Sequence, residues 1–279
     1  MGPLLALASA VSYGLADYVG GLLARRADPV AVAMIGQVVS LLITAVAAPV
    51  IGADVVRAGD LWWGALSGVG TGLGMAFLYR GLARGDMSVV VPISAVASVA
   101  LSVLVGVLLL GDRPSAPAWL GIVIAIPALW LVCHVRSTAH RPRVPRGASD
   151  GFLASVGIAV QYLALSQADP AAGIWPVATG RVTATIAMVG FAVGVATRFG
   201  MPGVVALRST GIGLLTAVAL VCYLFSTHDQ EVAIAVVLAS LYPVLPVLLG
   251  LTVLREKVSA SQAVGLVAAG CAIPLLAVG

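Results

Sequence analysis

Apolar residues in this chain do not alternate with polar ones; they come in long runs separated by short polar or Pro/Gly breaks. A helix crossing a hydrocarbon core of roughly 30 Å needs about 20 apolar residues. Runs of that size fall at approximately 3–23, 30–51, 61–82, 88–110 and 116–134, then at 151–167, 172–197, 206–226, 231–253 and 259–278. The pattern predicts an all-α polytopic membrane protein with ten transmembrane helices. The longest break, Val135 to Asp150, carries Arg136, Arg141, Arg143 and Arg146 and two prolines. It divides the chain into a first unit, 1–134, a basic linker, 135–150, and a second unit, 151–279. Ala8-Ser9-Ala10 has the form of a signal-peptide cleavage site, but no basic residue precedes it and the apolar run continues to Leu23. That stretch reads as the first membrane helix.

The second unit repeats the first. Residues 95–121 read AVASVALSVLVGVLLLGDRPSAPAWLG and residues 239–265 read ASLYPVLPVLLGLTVLREKVSASQAVG. Asp112 matches Glu256, Arg113 matches Lys257, Ser115 matches Ser259, Gly106 matches Gly250 and Gly121 matches Gly265, always 144 positions apart. The same shift puts Tyr79 on Tyr223, Asp17-Tyr18 on Gln161-Tyr162, and Gly36-Gln37 on Gly180-Arg181. Ala27-Asp28-Pro29 recurs as Ala168-Asp169-Pro170 at a shift of 141, a local slip of register. Matches of tyrosines, acids and paired basic residues are hard to obtain by accident in so apolar a chain, and a constant shift marks an internal duplication. Each unit holds five runs, an odd number, so the two enter the membrane in opposite orientations. Inverted repeats of this kind build transporters whose substrate site lies near the bilayer midplane.

Composition narrows the class. Hydrophobic residues make up 61% and charged residues 9%, against about a quarter charged in a soluble domain. The net charge of +4 is spread through loops, so no clustered basic face for nucleic acid is present. Loops after the odd-numbered runs hold Arg25, Arg26, Arg80, Arg84, Arg198, Arg208, Arg255, Lys257 and the linker arginines, against only Arg57 and Arg113 on the other side. Taken alone, this bias places the basic side in the cytoplasm and both termini outside. Cys133, Cys222 and Cys271 stand singly in apolar runs and His134, His140 and His228 lie at helix ends or in the linker. Without CxxC or clustered ligands, neither a metal nor another cofactor is expected. A nucleophile–base pair is also missing, so the chain does not read as an enzyme.

Asp17 is the only acid inside an apolar run and Arg181 the only base well inside one. Eight residues from Arg25, at 1.5 Å per residue, put Asp17 about 12 Å deep, and Arg181 lies comparably deep from the opposite face. Charges at that depth are costly and mark a pathway. They could present opposite charges to a zwitterionic or polar solute, Asp17 could carry a coupling proton, or the two could form a structural ion pair. Gln37, Gln161, Tyr79, Tyr223 and Tyr242 complete the candidate substrate lining, with Tyr18, Tyr162 and Ser240 nearby. Each tyrosine alone equally fits packing or the membrane interface. Arg80, at a helix end, is expected to snorkel. Pro92, Pro243 and Pro246 free backbone carbonyls, which a membrane tolerates beside protein or a water-filled cavity, so they are candidate hinges and cavity walls. The run Gly64 to Gly74 lacks the Lys-Ser/Thr of a phosphate loop, and its small residues four apart suit close helix packing.

These motifs resemble the EamA branch of the drug/metabolite transporter (DMT) superfamily. SLYPVLPVLLGLTVLREKVSASQAVGLVAAG is similar to that family's last two helices. VPISAVAS and LLLGDRPSAPAWLG resemble the counterpart in the first half, with Asp112 where Glu is usual. SYGLADYVGGLLARRADP and GIWPVATGRV resemble one sub-branch, with Tyr13 in place of its usual Trp. The resemblance implies a ten-helix bundle in the plasma (inner) membrane and secondary active transport, often export of an amino acid, metabolite or drug. It also implies cytoplasmic termini, opposite to the charge bias, so both orientations stay open. An acid in helix 1 of the related small multidrug resistance proteins makes Asp17 a proton site by analogy. The expected partners are a small-molecule substrate, lipid and a coupling proton, with the chain a monomer or weak homodimer. Rival readings are an uncoupled facilitator or exchanger and a non-transporting membrane scaffold or sensor.

Overall fold

A computed structural model describes residues 1–24, 26–84, 87–133, 147–194, 197, 200–242, 244–245, 249 and 260–278. Ten α-helices lie among the described residues, with no strand. They are α1 (Gly2–Ala24), α2 (Pro29–Ile51), α3 (Ala58–Arg84), α4 (Met87–Val105), α5 (Ala116–Cys133), α6 (Ala148–Leu165), α7 (Trp175–Gly194), α8 (Gly203–Asp229), α9 (Val232–Ala239) and α10 (Ala260–Val278). A π-helical turn, Gly106–Leu110, continues α4, and a 3-10 turn, Pro170–Ala172, precedes α7. Among the described residues, six apolar stretches are long enough to cross a membrane: Gly2–Leu23, Pro29–Ile51, Ala58–Gly81, Ile93–Leu110, Trp175–Gly194 and Gly203–Asp229. Shorter apolar stretches occupy α5, α6 and α10.

The ninth run departs from expectation. A helix to 253 was expected, but α9 ends at Ala239 and residues 240–242 form a turn. Tyr242 precedes a proline, and the proline ring disfavours helical backbone at the preceding residue. Pro243 and Pro246 lie outside the described residues, as does the side chain of Pro92, whose backbone continues α4 without a break.

Helix starts follow local chemistry. Asp28 Oδ1 accepts hydrogen bonds from the amides of Val30 (2.9 Å) and Ala31 (3.3 Å), and Pro29 takes the first position of α2. Asp169 does the same for the Pro170 turn, accepting from the Ala171 amide at 2.9 Å. The duplicated Ala-Asp-Pro motif is thus a start signal in both halves, an acceptor for orphan amides followed by a residue that has none to satisfy.

Packing places α3 along α7 and α6, and α8 along α1 and α2. α4 lies on α6, α9 on α1, α5 on α10, and α2 meets α7. Apolar side chains such as Leu42, Val46, Ile186 and Leu207 stay exposed on the outside, the surface a lipid-facing bundle presents. An apolar groove along α2, lined by Leu42, Ile43, Val46, Ala47 and Val50, belongs to that surface, not to the polar interior.

The glycine run of α3 packs helices, as its spacing suggested. A Cβ on Gly70 would stand 2.6 Å from the Gly157 carbonyl and 2.8 Å from the Gln161 amide nitrogen of α6, and one on Gly157 would stand 2.6 Å from the Gly74 Cα. Gly213 of α8 makes the same approach to the Gly36 carbonyl, at 2.6 Å. Only a hydrogen fits in such gaps. Gly70→Val is expected to cost about 2 kcal/mol or more, as overpacking does. A thermal melt of the purified variant checks this, and an unchanged Tm would show that α3 and α6 can separate freely.

Arg80 does not snorkel. Its Nε donates to Asp150 Oδ1 at 2.9 Å and its Nη2 to the same oxygen, while the guanidinium lies 4.7 Å from the centroid of the Phe77 ring. Asp150, in the first turn of α6, is buried. A carboxylate within reach at the start of a packed helix offers Arg80 more than the headgroup region does, so the pair clamps the end of α3 onto α6.

Candidate functional site: a buried polar cluster between α1, α3, α6, α7 and α8

Tyr13, Asp17 and Gly20 are spaced four and three residues apart, so they share one face of α1. The Tyr13 ring meets Tyr162 of α6 edge-on at 6.5 Å and Tyr242, just after α9, at 6.3 Å. Gln161 Nε2 donates to the Tyr13 hydroxyl at 3.0 Å. The other end of that amide accepts from Thr71 Oγ1 at 2.8 Å, and the Gln161 backbone carbonyl accepts from Ser67 Oγ at 2.9 Å. Tyr223 is fully buried; its ring lies 4.5 Å from that of Tyr162 and its hydroxyl donates to the Tyr162 carbonyl at 2.9 Å. Both the ring and the hydroxyl of Tyr223 are engaged in holding Tyr162.

Arg181 is 1% exposed. Its Nη1 donates to Gln37 Oε1 at 2.8 Å and its Nη2 to the Thr216 carbonyl at 2.9 Å, while Nε has no acceptor. The Tyr13 hydroxyl lies beside this guanidinium. The ion-pair alternative is not realised, because no contact within 4 Å joins Asp17 to Arg181 and Asp17 makes no hydrogen bond with the described residues. Asp17 keeps some accessible surface among the tyrosines, within electrostatic range of Tyr13, Tyr79 and Tyr162. The Tyr79 hydroxyl closes the other end of that face, 3.2 Å from where a Gly20 Cβ would be.

The fold therefore brings Gln37, Gln161, Arg181, Tyr223 and Tyr242 into one network around Tyr13 and Tyr162, with Asp17 and Tyr79 on its border. Ser67, Thr71 and Thr216 belong to the network without having been singled out, and Tyr13 was named only as a motif position. Tyr13 sits one helical turn before Asp17, a usable signal. Ser67 and Thr71 were hidden inside the small-residue pattern of α3, and Thr216 acts through its backbone.

At one end of the bundle the α2–α3 and α6–α7 connections are tied together. Asp60 accepts from the amides of Arg57 and Asp169, both at 3.0 Å, and Arg57 Nη1 reaches Asp169 Oδ2 at 2.5 Å. The Ala171 amide first, and then the Arg57 guanidinium, hold the Asp169 carboxyl below the usual carboxylate range. A lowered folded value means this tie is fully present above the unfolded carboxylate value near 3.9 and is lost as pH falls through the folded one. Tm between pH 7 and pH 3 should therefore fall less steeply in Asp169→Asn than in the wild type. Parallel curves would show that the tie contributes nothing.

A bundle of apolar helices around a hydrogen-bonded polar cluster, with Arg181 and Asp17 inside it and not paired with each other, defines a multi-pass integral membrane protein with a polar interior. Residues 1–133 match the profile of the EamA-like transporter family. In that half the chain is similar to the EamA-like transporters, membrane transporters of the DMT superfamily. Among solved structures, one crystal structure of a protein superposes with a TM-score of 0.77 at 16% identity, over 98% of this chain and 95% of its own, and shares the fold. No curated protein sequence matches the chain.

Proposed function

We propose that the chain is a secondary active transporter that exports a small polar or amphipathic metabolite across the plasma (inner) membrane. Two inverted five-helix repeats, 1–134 and 151–279, rock about a midplane site holding Asp17, Gln37, Gln161 and Arg181, with Tyr79, Tyr223 and Tyr242 around it. The observation that carries this reading is the hydrogen bond between Gln37 and Arg181. These residues are 144 positions apart, the repeat shift itself, and equivalent residues of two repeats meet on the pseudo-symmetry axis relating them. Packing supports it as well. The contacts of α3 with α7 and α6 have their counterparts in α8 with α2 and α1, and α4 on α6 has its counterpart in α9 on α1. The pairs α5–α10 and α2–α7 are their own counterparts. Asp17, unpaired and partly accessible, is the group that holds the coupling proton.

The test is flux in proteoliposomes. Labelled amino acids, nucleobases, sugars, organic acids and cationic drugs are offered with and without an imposed pH gradient. Accumulation beyond equal concentrations, driven by the gradient, is the expected result. Equilibration indifferent to the gradient would replace coupled transport by facilitation, and absence of flux for every solute that binds would sink the transport reading.

A further inference from the structure

Two donors of the polar cluster meet no acceptor among the described residues. Arg181 has given two groups of donors to Gln37 and the Thr216 carbonyl, and its Nε–H still faces no acceptor. The Tyr13 hydroxyl accepts from Gln161 Nε2, and its own proton goes to no acceptor among the described residues. These two unspent donors are neighbours, since the Tyr13 hydroxyl lies beside the guanidinium. Among the described residues, no carboxylate comes within 4 Å of Arg181. A buried charge left without a counter-charge is costly, and a buried donor without an acceptor adds its own desolvation penalty. Both costs vanish if an anionic oxygen group enters between Nε–H and the phenol, because a planar oxyanion accepts from a guanidinium and a hydroxyl at once. The surroundings then select what the anion is attached to: the rings of Tyr13, Tyr162 and Tyr242 stand together beside that point, a wall for a flat or apolar body rather than for a hydrated inorganic ion.

We propose that Arg181 Nε–H and the Tyr13 O–H form a docking site for the carboxylate of the transported solute, with the tyrosine rings against its body. This rests on the transport reading and narrows its substrate to organic acids and other solutes that carry a carboxylate.

The experiment uses the purified full chain in nanodiscs and follows its Tm with three probes of one shape: phenylacetate, neutral phenylacetamide and cationic phenethylamine. Sodium chloride at matched ionic strength is the fourth arm. Phenylacetate alone is expected to raise Tm. Arg181→Gln should lose that shift. Tyr13→Phe, which keeps the ring contacts with Tyr162 and Tyr242 and gives up only the hydroxyl that Gln161 meets, should weaken phenylacetate binding about tenfold, the worth of one hydrogen bond to a charged group. Arg181→Lys, which keeps the charge without the planar fork, should recover part of the loss. The carboxylate site is overturned by an equal shift from phenylacetamide or from chloride, by no shift from phenylacetate, or by wild-type affinity in Tyr13→Phe. Flux separates the two readings. Phenylacetate that binds through Arg181 but is never carried into proteoliposomes removes the transport reading and leaves the site. Carriage of the amide or amine in preference to the acid removes the site and leaves transport.

Discussion

Asp17→Asn is expected to stop accumulation driven by a pH gradient while leaving the protein folded. The reason lies in what Asp17 does not do. Among the described residues it makes no hydrogen bond and no ion pair, so an isosteric amide removes no partner seen there. Removing a charge from the bundle interior takes away a cost, so Tm should stay level or rise. Transport should respond in the opposite way. An amide cannot take up and release a proton in this range, so flux coupled to protons through this position falls to the level of empty vesicles, while downhill exchange of solute can persist. Proteoliposome uptake with an imposed gradient reads the first quantity and counterflow the second. Wild-type accumulation by the variant would take the proton away from Asp17. A fall in Tm with no solute flux in either the variant or the wild type would favour a scaffold, in which the residue serves stability.

The second large effect concerns stability. Asp150→Ala is expected to lower the unfolding free energy by about 3 kcal/mol, the low end for breaking a buried ion pair by deleting one partner. The low end applies because the Arg80 side chain keeps 28% of its surface exposed, whereas Asp150 keeps 6%. Arg80 cannot follow its lost partner to water cheaply, since Phe77 and Phe191 hold the guanidinium at 4.7 and 5.9 Å from their ring centroids. The double change Arg80→Met with Asp150→Ala should recover much of the loss, because it removes the orphaned charge. Thermal melts of the two variants decide the matter. If the double variant is no better than Asp150→Ala, the cost came from the helix start of α6 and not from the unpaired arginine.

Much of the architecture was readable before any coordinates. Transmembrane character follows from run length alone, because a bilayer demands about 20 apolar residues and internally satisfied backbone. The recurrence at a shift of 144 was readable because tyrosines, acids and paired bases are rare enough in this chain to make a shared offset stand out. Candidate polar residues were legible for the same reason, since Asp17, Gln37, Gln161 and Arg181 stand out against apolar runs. Other features depend on neighbours that composition cannot locate. Arg80 looked like a residue at a water interface, and only the arrival of α6 brings Asp150 to it. The end of α9 at Ala239 lay hidden in an unbroken apolar run. Tyr13 read as one more aromatic until Gln161, Tyr162, Tyr242 and Arg181 converged on it from three other parts of the chain.

By itself, the sequence determined that this protein lives in a membrane, that residue patterns recur along it at a shift of 144 positions, and that a few polar side chains stand inside apolar runs. Those are properties of single residues and of spacing along the chain, and burial in hydrocarbon penalises exceptions strongly enough to make them visible. Only the tertiary structure decided that Asp17 and Arg181 stay apart rather than pair, that Gln37 and Arg181 meet across 144 positions, and that two donors are left unspent beside a tyrosine wall. Distances between residues far apart in the chain set hydrogen bonds and ion pairs, and helix packing, through glycines that let backbones touch, sets those distances.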